Sequence, residues 1–594
     1  MSKYDRKTLV EHIKVTSDGL RGTLSAELEQ PTEAFSTLSA RLLFFHGVYQ
    51  QENRDRRRRS DAATDEREYD FMLRLKAAAG KLTAAQWVTI LDLADGFGTG
   101  AVQLTSRQGV QIAGIRKAEL SEVLRQVDRA GLTTLGSGGD LNCNVMCCPP
   151  TLLNRAAAEE MDGLADALSR ALLPAEDGYR ATWRLDDTQS DAQSDARHEL
   201  GGNGSRRRYD FPYGPSYLPH KFKIGLACEN DNCTDVLVQD IGLVAVLESE
   251  RIVGYHVLIG GGLGHVPSST TSFPRLATPL AFVAPRDVPR LVFAIVKMYR
   301  DLGDRSCRYR GRLKYLVHDR GIQRIRRHLE DDLGEWLPWP RPFEITGCDD
   351  HRGWQQHYDG RWSLGLQVFD GLVEDGAGAR LKSALRALLE MPDTSLRVLP
   401  RRRLLWSGAA EVTLAAVDAV LAAHGVLPLD DVAPLRRCSD ACPGLPFCGH
   451  AITESHRLLP KVLEELETVL ERLELADEPI CLRLAGCPAG CTRSYLAEIA
   501  VVGRSLAAST LEGKYAIYVG GDRFGRRLAT LYDDLVDQAD IVPTLIPLLV
   551  YYRRCRIASE SFGDFCHREG VNALHAFASA YPCGGKSVHT ASGA

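Results

Sequence analysis

No stretch of this chain is apolar for long enough to span a bilayer. The most apolar late run, Ile541 to Tyr552, is short and interrupted by Pro543 and Pro547. The opening residues, MSKYDRKTLVEHIK, hold no apolar signal segment. A large excess of charge of one sign is lacking as well. The net charge over 594 residues is −5, which argues against a general nucleic-acid binder. No G-x-G-x-x-G opens a helix, so a dinucleotide fold is not expected. What is present is an ordinary globular composition, 44% hydrophobic and 25% charged. The chain is too long for one core and is expected to divide into about three domains. It also has sixteen cysteines. Without a secretory segment these read as reduced thiols and metal ligands in the cytoplasm, not as disulfides.

Four of the cysteines form two short pairs, Cys442-Pro-Gly-Leu-Pro-Phe-Cys448 and Cys487-Pro-Ala-Gly-Cys491. Four thiolates converging from two turns can hold a soft metal centre. Zinc knuckles usually have tighter C-x2-C spacing. The wider spacings here, lined with Pro and Gly, suit a cubane iron–sulfur cluster; zinc and plain buried thiols remain the alternatives. Ile480, Leu482 and Leu484 alternate as a strand running into Cys487. Pro488 is expected to open a helical turn that brings Cys491 onto the same face, where free N–H groups would stabilise sulfur charge.

Along the chain, residues 1–70 read as a polar arm ending in a basic burst, Arg54 to Arg59, either a solvated face or a dock for an acidic partner. Between Ala101 and Ile115, Val102, Leu104, Val110 and Ile112 face one way, and Gln103, Thr105, Arg107 and Gln111 the other. A helix over Glu119 to Leu132 follows. VQLTSRQGVQIAG at 102–114 lines up with LRVLPRRRLLWSG at 396–408, again followed by a helix, from Val412 to Ala423. Such a repeat implies two copies of one α/β half-unit, paired about a pseudo-two-fold axis with a separate domain inserted between them. A polar linker covers 185–208. In YLPHKFKIGLA at 217–227, Lys221, Lys223, Gly225 and Ala227 share one strand face, a basic floor with room above it, or else two solvated lysines. The glycine turn GGGLG at 260–264 offers backbone N–H groups to an anion. Arg305, Arg308, Arg310, Arg312 and Lys314 form a dense basic stretch.

Taken together, these residues resemble the siroheme-containing nitrite and sulfite reductase family, over nearly the whole chain. The landmarks are FHGVYQQENRD at 45–55, LTSRQGVQIAG at 104–114, GDLNCNVMCC at 139–148, YLPHKFK at 217–223, GGGLG at 260–264, RDLGDR at 300–305, CPGLPFCGHAITES at 442–455, GCPAGC at 486–491 and GGDRFG at 520–525. The resemblance implies an α+β, three-domain architecture with two pseudo-two-fold-related α/β half-repeats and a C-terminal cluster-binding domain. The expected divisions are an arm at 1–70, a first ferredoxin-like half-repeat at 71–137, a siroheme and substrate domain at 138–340, a second half-repeat at 341–426 and an iron–sulfur/siroheme domain at 427–594. It implies a [4Fe–4S] cluster on Cys442, Cys448, Cys487 and Cys491, with the Cys491 thiolate shared with siroheme iron. Arg107, Gln111, Arg305, Arg308, Arg312 and Lys314 are expected to meet the siroheme carboxylates, and Arg74, Lys221 and Lys223 to line the anion pocket. The activity implied is six-electron reduction of sulfite to sulfide in assimilatory sulfur metabolism, with electrons from an NADPH-dependent flavoprotein or a ferredoxin, and with no nucleic-acid or membrane partner. Nitrite reduction to ammonia, another oxyanion, or a cluster-bearing carrier or scaffold without siroheme are the alternatives.

The chain departs from the family in places. Cys143 stands where sulfite reductases usually carry a fourth pocket Arg, and a thiol there could ligate iron, cross-link or make space. Ala489 replaces an Asn beside the cluster, Arg401-Arg402-Arg403 an Asn-Gln-Asn-like run, and Gln103 an Arg. The cluster ligands are untouched by these changes, whereas the haem pocket is altered.

Overall fold

The computed structural model describes residues 8–52, 68–150, 153–185, 212–357, 359–376, 378–409, 414–507 and 512–581. The basic burst at Arg54 to Arg59 and most of the polar linker lie outside them.

Two five-stranded antiparallel sheets carry the repeated halves. The first runs in the order Val48–Glu52, Tyr69–Leu75, Val110–Ile115, Val102–Leu104, Leu372–Val373. The second runs Trp354–Gln356, Trp362–Leu366, Arg403–Ala409, Ser395–Leu399, Lys81–Leu82. Each sheet thus ends in a two-residue strand supplied by the other half. The aligned stretches fold as equivalent hairpins. Val102, Leu104, Val110 and Ile112 are all fully buried, as their alternation implies. The expected helix after the first hairpin forms over Leu120–Arg129 and buries Leu120, Val123, Leu124 and Val127. The one after the second forms over Leu414–Ala423. Helix Ala84–Phe97 begins at a capping box made by Thr83 and Gln86. Its Trp87 Nε1 donates to Leu396 O of the opposite half at 2.9 Å. Residues 48–52, within the expected arm, are the outer strand of the first sheet.

The other two sheets are also a matched pair. One comprises Met146–Cys147, Ile224–Cys228, Ile241–Glu248, Arg251–Ile259 and Thr278–Val283; the other Asp440–Ala441, Leu482–Ala485, Ile499–Leu506, Gly513–Val519 and Thr530–Asp537. In both, the first two pairings are parallel and the last two antiparallel. Cys147 lies opposite Leu226 as Ala441 lies opposite Leu484. The shift along the chain that carries Leu226 onto Leu484 and Ile241 onto Ile499 also carries Cys233 onto Cys491 and Asp235 onto Arg493. The middle lobe, expected as a separate insert, is therefore the counterpart of the last lobe. The last lobe keeps its own apolar core, in which helix Leu459–Arg472 buries Val462, Leu466 and Leu470 and packs against helix Ile541–Cys555, which in turn packs against helix Phe562–Ala580.

Candidate functional site

Cys442 and Cys487 follow neighbouring parallel strands, so both cysteine loops leave the same edge of the last sheet. Cys442 N–H donates to Leu484 O at 3.1 Å, and Gly486 N–H donates to Cys442 Sγ at 3.2 Å. The loops pack backbone against backbone: a Cβ on Gly486 would sit 2.6 Å from Thr453 O and 3.0 Å from Gly444 Cα. No helix forms at Pro488. Residues 488–489 are a turn, and Gly490 (φ +67°) and Arg493 (φ 58°) take the left-handed conformation that ends it. Cys491 is exposed, Cys448 and Cys487 are half-buried, and Cys442 is buried.

Burial pushes the Cys442 thiol up to about 11 and Cys487 up to about 12, and the neighbouring sulfurs push them the same way. Cys491, Cys448 and Cys442 all act on Cys487, so the four sulfurs face one another. Backbone N–H groups of Gly486, Ala451 and Ala489 act against this at Cys442, Cys448 and Cys487. Four mutually repelling thiolates in a half-buried site fit a polycationic core between them. That is the donor chemistry of an iron–sulfur cluster.

A wall of cations faces these loops. Arg74 ends the strand Tyr69–Leu75 and donates through Nη1 to Tyr49 Oη at 2.8 Å. Gln111, with its amide oxygen turned toward Arg74, accepts from Nε and Nη2 at 2.7 Å each. Lys221 and Lys223 precede the strand Ile224–Cys228. Burial first, then Lys221, Arg312 and Arg107, take Lys223 well below the usual lysine range, while Cys491 acts in the opposite sense. Arg107 sits in the hairpin turn and donates to Gln239 Oε1 and Asn144 O at 2.7 Å each. Burial lowers it to about 10. Cys143, 6% exposed, has Lys76, Arg107, Arg312 and Tyr49 within electrostatic reach and donates its N–H to Phe222 O at 2.8 Å.

Lys76 was not singled out in the sequence. It is buried, its Nζ has no hydrogen-bond partner, and burial lowers it to about 8. The signal was its position two residues after Arg74, on the same strand face. Arg107 Nε is likewise buried without a partner. Buried cationic donors left idle are costly unless an anion meets them. A carboxylate-rich tetrapyrrole and a small oxyanion fit that requirement.

The basic stretch at 305–314 is different: its charges are already matched inside the chain. Arg305 pairs with Glu11 at 2.6 Å. Arg308 grips Asp140 through both oxygens, at 2.6 and 2.7 Å. Arg312 pairs with Asp240 at 2.7 Å. Lys314 Nζ donates to the carbonyls of Gly262, Gly264 and Phe273. Three amides of the glycine turn are already used, because the N–H groups of Gly260, Gly261 and Gly262 bond Asp240 O, Gln239 O and Arg275 O. Its role is close approach: a Cβ on Gly264 would meet Ala489 O at 2.9 Å, so the turn lies directly on the second cysteine loop.

Comparison with known proteins adds the following. A family profile described as the nitrite/sulfite reductase ferredoxin-like half domain matches residues 64–130. One described as the nitrite and sulphite reductase 4Fe-4S domain matches residues 138–337, a range that stops short of Cys442. The chain is 37% identical over 564 residues to the sulfite reductase (NADPH) hemoprotein beta-component of Acidithiobacillus ferrooxidans, covering 95% of this chain and 96% of that protein. It is 35% identical to a sulfite reductase (ferredoxin) of Synechococcus elongatus, covering 96% and 91%. Among solved structures it is similar to the Mycobacterium tuberculosis NirA protein, with a TM-score of 0.71 at 23% identity, covering 97% of this chain and 96% of that one.

Proposed function

We propose, since this chain belongs to the nitrite and sulfite reductase family, that it reduces sulfite to sulfide in assimilatory sulfur metabolism. The observation that carries this reading is the meeting of the two cysteine loops with the buried cation wall, with Cys491 within reach of Lys223. Cys442, Cys448, Cys487 and Cys491 would hold a [4Fe–4S] cluster, and Cys491 would be shared with siroheme iron. Arg107, Gln111 and Lys76 are the groups best disposed toward siroheme carboxylates or the substrate, whereas Arg305 and Arg308 act by anchoring Glu11 and Asp140. When bound, the coupled cluster and siroheme supply six electrons, one at a time, to the substrate sulfur.

The chain's own residues then have distinct work. Arg74, Lys221 and Lys223 draw the oxyanion in and withdraw charge from its oxygens. Reduction of sulfite to hydrosulfide consumes seven protons and releases three waters, so the site needs donors as well as cations. Burial and the neighbouring cations lower Lys223, so a bound anion beside it restores its charge, and its proton can then pass to the substrate oxygens. Lys76, lowered to about 8 by burial, is poised near neutrality for the same task. The printed names of the relatives, which specify NADPH in one case and ferredoxin in the other, support one of these as the source of electrons, an NADPH-dependent flavoprotein being the form the first would take. No helix among the described residues is long and apolar enough to cross a membrane.

The test is a visible spectrum of anaerobically purified protein, followed by turnover with reduced viologen. Expected are siroheme absorbance and a higher kcat/KM for sulfite than for nitrite. Preference for nitrite would reassign the substrate, and absence of a tetrapyrrole would overturn the enzyme reading.

A further inference from the structure

The middle lobe carries a thiol cluster where the last lobe carries its cysteine loops. Cys148 follows the strand Met146–Cys147 and donates its N–H to Leu226 O at 3.0 Å, the counterpart of the bond from Cys442 to Leu484. Cys233 is the counterpart of Cys491. Cys148 Sγ, Cys233 Sγ and an Asp231 carboxylate oxygen all lie within 4.8 Å of one another, and both cysteines are buried, at 2% and 3% exposure. The four cysteines of the redox centre do not crowd in this way, so the tighter group suits a single ion and not a multinuclear core. Asp231 Oδ1 already accepts from the N–H groups of Cys233 and Asp349, at 3.1 and 3.0 Å, leaving Oδ2 for a ligand.

A second, independent feature lies beside Asp231, outside the tight group of three. The His351 side chain is 3% exposed, and its Nε2 has no hydrogen-bond partner. Its Nε2 stands 3.9 Å from Asp231 Oδ2, and its Nδ1 stands 3.2 Å from Asp349 Oδ2. A carboxylate behind one nitrogen with the other nitrogen idle is the arrangement of a metal-binding imidazole. The segment bearing His351 is laid against the Asp231 loop by Thr346 N–H to Glu229 O at 2.8 Å and Asn232 N–H to Gly347 O at 3.0 Å. Arg401 Nη2 donates to Cys348 Sγ at 3.2 Å and so places a cation beside the group.

We propose that Cys148, Cys233 and Asp231 bind one zinc ion, and that His351, moving in from beside Asp231, completes the ligand set and clamps the 345–351 segment onto the middle lobe. Two thiolates and one carboxylate, with the imidazole as the fourth ligand once it has moved in, make a tetrahedral set that zinc accepts and that keeps no open position, so the ion is structural. On binding, both thiols shed their protons to solvent, and nothing is oxidised or reduced.

The test uses the full-length enzyme, purified anaerobically from zinc-supplied cells with its cofactors in place. Elemental analysis is expected to give close to one zinc per chain in addition to iron. Zinc-edge X-ray absorption is expected to show sulfur at about 2.3 Å and lighter ligands at about 2.0–2.1 Å. The double variant Cys148→Ser/Cys233→Ser is expected to lose the zinc while keeping iron content and visible spectrum. Should that variant fail to fold, His351→Ala is expected to release zinc to a chromogenic chelator at least tenfold faster at an unchanged visible spectrum. Absence of zinc, zinc retained without both thiols, unchanged release from His351→Ala, or a Cys148–Cys233 disulfide in the intact mass would each overturn the proposal.

Discussion

At Cys143 the chain places a small side chain among Tyr49, Lys76, Arg107 and Arg312, where the family resemblance leads one to expect an arginine. A charge-assisted contact to an anion contributes about 1.5–3 kcal/mol. Cys143→Arg is therefore expected to lower the sulfite KM roughly tenfold to a hundredfold, measured with reduced viologen as donor; an unchanged or higher KM would remove the substrate from this position. His46 offers a second test. It is fully buried, its Nε2–H donates to Leu20 O at 2.9 Å, and its Nδ1 accepts from Trp183 Nε1 at 2.9 Å. That pairing leaves no place for a second proton, and burial lowers the ring to about 4. Because the folded value lies below the unfolded one, near 6.5, the stabilisation is complete above about pH 6.5 and fades as pH falls toward 4. The total is on the order of 3 kcal/mol. His46→Gln is expected to show a shallower fall in Tm over that window than the parent protein. At this scale the cysteine pairs, Lys221 and Lys223 could be singled out from local spacing, and Arg74 only through the family resemblance. The pairing of Arg305, Arg308 and Arg312 could not, because their carboxylate partners Glu11, Asp140 and Asp240 lie far away in the chain.

Among the elements, the long hairpins and the helices with strong apolar period were legible, and their repetition revealed the two halves. The exchanged strands Lys81–Leu82 and Leu372–Val373 were not, since two residues carry no periodicity. Each follows a tight turn with a residue of positive φ, Ala79 at 53° and Asp370 at 55°. Gly80 (φ +78°) makes the first exchange possible: a Cβ there would lie 2.0 Å from Val398 O. Gly80→Ala is expected to cost at least about 1–3 kcal/mol, read as a lower midpoint in urea unfolding; an unchanged midpoint would mean that the contact between the halves yields easily. The helical turn expected at Pro488 failed for a related reason. Gly490 has to pass close to the Leu263 side chain, where a Cβ would sit 2.7 Å from Leu263 Cβ, and the packing partner comes from another lobe.

In the whole molecule, Asp235 and Arg493 occupy equivalent positions in the two matched lobes, and they pair with each other at 2.6 Å, both buried. Arg493 also donates to Cys233 O and to Ser106 O, so three parts of the chain meet at one guanidinium. Burial would raise Asp235, but Arg493, Arg483 and Arg401 hold its carboxyl below the ordinary value. Removing that carboxylate leaves two buried cations, Arg493 and Arg483, uncompensated. Asp235→Ala is expected to destabilise the protein by about 3–5 kcal/mol, seen as a reduced Tm with coincident loss of visible absorbance. Retention of both would show that the lobes are held by other contacts. The correspondence of middle and last lobes was hidden in the sequence because their loops share few residues, among them Cys148 with Cys442, Cys233 with Cys491 and Thr234 with Thr492, with other residue types between. The strand loan between the halves also constrains how such a chain can be made. Cut anywhere between them, the polypeptide yields two fragments, each lacking one rung of its ladder and each showing a raw sheet margin that the other was shaped to cover. They reassemble as a couple or not at all, as two interlocked hands do.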